Sequence, residues 1–61
     1  MKRWAVVNTN GVPLTVKIKT GLGIESMKYF ANKEAAETAL SMMFAEDVIK
    51  HGAHVAEVTP S

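Results

Sequence analysis

Asp47, His51, His54 and Glu57 are the one cluster of side chains here that could ligate a metal. Two histidines three residues apart could share a helical face, but Gly52 falls between them and should end the helix there. His51 then reads as a cation at the negative end of a helix, His54 as a strand residue, and no metal site is expected. Nucleophilic chemistry has even less to work with. Cysteine is absent, and the few Ser and Thr residues lie at turns, caps or helix faces without a glycine-framed nucleophile elbow. Glu34 and Glu37 are first-turn helix acids rather than a catalytic pair, and a chain this short is poorly able to build a water-excluding cleft. The expectation is a protein that is not an enzyme and holds no cofactor.

A binding role needs surfaces, and charge is distributed unevenly between them. Lys2, Arg3, Lys17, Lys19 and Lys28 against Glu25 give the first thirty residues a net +4. Lys33 and Lys50 against Glu34, Glu37, Glu46, Asp47 and Glu57 give the remainder −3. A basic sheet side and an acidic helix side could steer a partner, although the simpler role of these charges is solubility. Arg3, Lys17, Lys19 and Lys28, with Trp4 or Tyr29 as a stacking platform, are the candidate nucleic-acid-binding residues. The aromatic-rich motif of an RNA-recognition sheet is absent.

The elements that must position these groups follow from periodicity. Residues 2–8 are β-prone through Trp4, Val6 and Val7. In residues 12–19, Val12, Leu14, Val16 and Ile18 alternate with Thr15, Lys17 and Lys19, the period of a strand with one wet face. Thr9-Asn10-Gly11 between them is a hairpin signal. A two-residue turn would place Ala5 opposite Val16 and Val7 opposite Leu14, leaving Trp4 and Val6 wet. A three-residue turn with left-handed Gly11 places Trp4 opposite Val16 and Val6 opposite Leu14. The second register is expected, because so small a core can hardly spare Trp4. Pro13 cannot donate to a ladder, so that end of the strand should have a free side or a bulge.

Thr20-Gly21-Leu22-Gly23 breaks the alternation as a turn, without the helix and Lys-Ser/Thr pair of a phosphate loop. Ile24 to Phe30 reads as a third short strand, with Tyr29 and Phe30 packing where the chain enters a helix. That helix is predicted over residues 32–52, from Asn32 as N-cap to Gly52 as terminator, with Lys50 and His51 in its last turn. Ala36, Ala39, Leu40 and Met43 fall on its core face. Ala35, Met42 and Ile49, spaced by seven, form a second stripe beyond what one small sheet can cover. Met42 or Met43 could instead fill a gap in the core. Residues 53–58 form a closing strand. If the third strand were absent, a 2-1-3 antiparallel order would be simplest.

The whole is expected to be one α+β domain of 61 residues: a small antiparallel sheet covered on one face by a single helix. With 48% apolar and 21% charged residues the chain has globular rather than disordered composition. No apolar run approaches the ~20 residues of a membrane span, and no charged-then-apolar leader begins at Met1. A cytoplasmic location is therefore expected, with no membrane partner.

Arg3-Trp4-Ala5-Val6-Val7, a second strand, an acidic Ala-rich helix start over 31–43, and a strand plus proline over 52–60 together resemble small bacteriophage early proteins that inhibit host enzymes. The resemblance is to the T7-like inhibitors of bacterial RNA polymerase. It covers most of the chain as element order and residue class. Here Gly21 to Ile24 is extra, and no functional residue aligns. It implies one helix on a small antiparallel sheet and inhibition by binding a host protein. The expected function is accordingly a protein-binding module, a phage-type inhibitor or modulator, with Met42, Ala45, Glu46, Asp47 and Ile49 as the partner-binding residues. Two alternatives are nucleic-acid binding through the basic sheet face and a homodimer paired along the stripe from Ala35 to Ile49.

Overall fold

The computed structural model describes residues 2–60. The fold is α+β, with strands β1 (Arg3–Val7), β2 (Val16–Thr20) and β3 (Gly23–Met27), helices α1 (Lys33–Ser41) and α2 (Ala45–His51), and strand β4 (His54–Val58). β1 and β4 pair antiparallel, with Val6 opposite Val55 and Ala5 opposite Ala56. β2 and β3 form a separate antiparallel ribbon, with Val16 opposite Met27 and Lys19 opposite Ile24.

The first turn takes the three-residue form. Asn8 N–H donates to the Val12 carbonyl at 3.0 Å, and Gly11 N–H donates to the Asn8 carbonyl at 2.9 Å. Gly11 has φ +79°, which a side-chain-bearing residue adopts only at a cost. The Asn8 carboxamide oxygen accepts from Asn10 N–H and Val12 N–H, an Asx arrangement that closes the turn. In this register Leu14 N–H donates to the Val6 carbonyl at 2.7 Å.

Beyond Leu14 the expected pairing stops, and Trp4 lies opposite Phe30 rather than Val16. Trp4 and Phe30 exchange both backbone hydrogen bonds, at 2.9 and 2.7 Å. The chain leaves β1 after Leu14, runs out and back as the ribbon, and rejoins β1 at Phe30. Phe30 thus satisfies Trp4's peptide groups while Val16 gains a ladder partner in Met27. β4 occupies the other edge of β1. Every residue of β3 is exposed; the predicted third strand exists, but it belongs to the ribbon.

The core gathers Val6, Val16, Phe30, Ala36 and Ala39, with Trp4, Leu14, Ile18, Leu40, Met43 and Val55 packed around it. Ala5, Val6 and Val7 are all buried, so both faces of β1 are covered, as befits the central strand. Tyr29, expected to pack beside Phe30, is partly exposed while Phe30 is buried.

The predicted single helix is two. Asn32 caps α1 as expected, its side-chain oxygen accepting from Ala35 N–H at 2.8 Å. After Ser41 the backbone tightens, with Met42 N–H donating to Ala39 and Met43 N–H to Leu40, each at 3.1 Å. Phe44 then turns extended, at φ −66° and ψ 139°, and its carbonyl accepts the first bonds of α2. Length explains the break. A straight helix from Lys33 to His51 would run about 28 Å, while five-residue strands span only about 17 Å. The break folds the surplus back so that β4 can return beside β1. Gly52, at φ +62°, ends α2 as expected.

Candidate functional site

A surface groove lies at the break in the helix. Met42, Met43 and Phe44 there, Ile24 on β3, Lys17 and Lys19 on β2, and Asp47 on α2 line an open groove of about 800 Å³. Phe44 is 77% exposed, Ile24 72% and Met42 47%. Each is a large apolar group that folding has left in water, and together they make a patch rather than isolated surface residues. Val16 and Met43 connect the groove to the core.

The partner-binding residues expected from the sequence separate in space. Met42 and Asp47 line the groove; Ala45, Glu46 and Ile49 do not. Ile49 is 80% exposed, but it sits on α2, while Ala35 packs against the core from α1. The continuous stripe through Ala35, Met42 and Ile49 therefore does not form, and neither does the helix seam that a homodimer would have used. A spacing of seven aligns side chains only along an unbroken helix.

The basic set divides similarly. Lys17 and Lys19 share a face of β2 and reach the groove, whereas Arg3 is half-buried on β1 and Lys28 lies just past β3. Among the described residues the ion pair is Lys2 with Glu57, at 3.8 Å, so Lys17 and Lys19 have no carboxylate partner. Lys33 is otherwise engaged, its Nζ 6.0 Å from the centroid of the Trp4 ring. Among the described residues no three His, Asp or Glu side chains come together as metal ligands. His54 Nδ1 lies 3.0 Å from the Gly52 carbonyl oxygen, a local contact that occupies one ring nitrogen. Among the described residues no helix is long and apolar enough to cross a membrane.

Phe44 and Ile24 were not among the expected site residues. At 100° per residue Phe44 falls next to Leu40 at the margin of the predicted core face, and the break turns it outward. Ile24 belongs to a strand whose pairing partner, β2, decides which face it occupies. Neither position carries a local signal of its exposure.

Comparison with family models, with curated proteins and with solved structures found no match.

Proposed function

We propose that this chain is a small protein-binding module that docks on another protein through the groove at the helix break and inhibits or modulates it. The observation that carries this is the convergence of Met42, Phe44 and Ile24, all exposed, on one concave surface. Methionine and phenylalanine adapt to and fill a partner's apolar pockets, and exposed patches of this kind mark interaction sites. Inhibition and a phage origin come from the element-order resemblance to small phage inhibitors, and together with a cytoplasmic setting they are part of the proposal.

The test is affinity capture from bacterial lysate with tagged wild-type chain, a Met42→Ser/Phe44→Ser variant and an Ile49→Ser variant. The expected result is a discrete protein retained by wild type and by Ile49→Ser and lost with the double variant. Identical capture by all three would overturn the role of the groove.

Nucleic-acid binding is the second reading, favoured by the exposed side chains of Lys17 and Lys19, which have no ion-pair partner among the described residues. It requires retention of single strands in a gel shift at low salt, weakened by removing those two charges.

A further inference from the structure

We infer that the groove takes an acidic, amphipathic peptide segment of its partner, with carboxylates over Lys17 and Lys19 and apolar side chains against Ile24, Met42 and Phe44. This rests on the docking role proposed above and adds the chemistry of the occupant. Charge complementarity carries the inference. Lys17 and Lys19 project from the same face of β2, two residues apart, and both line the groove. Among the described residues neither has an ion-pair partner, although the chain carries six acidic residues that could have supplied one. The ribbon adds Ile24, opposite Lys19, and the helix break adds a second side that is apolar at Met42 and Phe44 and carries one carboxylate, Asp47.

A ligand that satisfies both walls has two sides, one acidic and one apolar. A purely apolar segment would leave the ammonium groups beside a desolvated contact with no partner. A basic segment would meet like charges, which costs affinity and rejects wrong partners. A nucleic acid could pair with the lysines and stack a base on Phe44, but its phosphates would also meet Asp47 in the groove, and it brings few aliphatic groups to Met42 and Ile24. Asp47 sets a direction, because a basic residue at one end of an otherwise acidic segment would be favoured beside it.

Fluorescence anisotropy on the full chain tests this with three labelled probes. One is a short peptide alternating Leu and Phe with Asp and Glu, the second its counterpart with Lys in place of every acid, and the third oligo(dT). The acidic peptide is expected to bind roughly tenfold more tightly than the basic one at low salt, the sum of two exposed charge pairs. That preference should shrink as salt screens it, vanish in Lys17→Gln/Lys19→Gln and reverse in Lys17→Glu/Lys19→Glu. Both lysines are exposed, so the variants should keep the wild-type circular dichroism.

Equal binding of the two peptides, binding of neither, or binding of oligo(dT) in place of the acidic peptide would overturn the inference. If Met42→Ser/Phe44→Ser still abolishes capture from lysate while the peptides show no charge preference, docking stands and the acidic occupant falls. If that variant captures normally, docking through the groove falls first.

Discussion

Thr9 fastens the first turn to the end of the second helix: its N–H, at 3.0 Å, and its hydroxyl, at 3.2 Å, both donate to the carbonyl of His51. The pair is separated by 42 positions in sequence. It fixes where α2 stops and where β4 begins, and so holds the far side of the helix break. Gly52 comes next, with φ +62°, and a Cβ there would collide with the Thr9 hydroxyl.

Thr9→Ala removes one of two donors to His51 and should cost about 1 kcal/mol in urea unfolding. Gly52→Ala should cost about 2 kcal/mol, combining left-handed backbone strain with the Thr9 collision. The double variant should lose less than the sum, because Thr9→Ala removes the clashing hydroxyl. Strict additivity would show that the two residues do not touch in solution.

The caps offer a second test. Asn32→Ala should lower stability by about 1 kcal/mol, since Ala35 N–H loses its acceptor at the start of α1. Asn8→Ala removes an oxygen that accepts two turn N–H groups and should cost at least as much, about 1–2 kcal/mol. An unchanged urea midpoint in either case would contradict the hydrogen bonds described.

Core packing gives a third. Ala36 and Ala39 lie against β1 with essentially no exposed surface, which lets α1 approach closely. Ala36→Leu should destabilise by about 1–3 kcal/mol through overpacking, although leucine is more apolar. Val6→Ala should cost about 2 kcal/mol. A more stable Ala36→Leu variant, by thermal melting, would mean that the helix stands further from the sheet.

Much of this architecture is legible in local chemistry. Asn10-Gly11 specifies its turn, Asn32 and Gly52 mark helix ends, and Ala36, Ala39, Leu40 and Met43 show the buried face. The helix break is not legible, because Met42-Met43-Phe44 contains neither glycine nor proline and suits a helix well. It follows from the mismatch between helix length and sheet length, a property of the assembled fold. The departure of β2 from β1 is hidden for a similar reason: Val16 and Ile18 keep their alternation whichever strand they pair with. The site inherits both gaps. Met42 and Asp47 could be picked out as surplus surface groups, whereas Phe44 and Ile24 become site residues only through the break and the ribbon.

The groove residues should be separable from stability. Met42→Ser/Phe44→Ser removes one half-exposed and one mostly exposed apolar group while placing a capping hydroxyl at the start of α2, so its stability should stay within about 1 kcal/mol of wild type. A large loss of stability would place these side chains in the core and remove the docking surface.

Site-specific photo-crosslinking tests that surface most directly. A photoreactive phenylalanine analogue at Phe44 is compared with the same group at Leu22, which is 99% exposed at the ribbon tip and outside the groove. Irradiation in bacterial lysate should give a discrete protein adduct from position 44 and none from position 22. No adduct from position 44, or the same adducts from both, would contradict docking through the helix break.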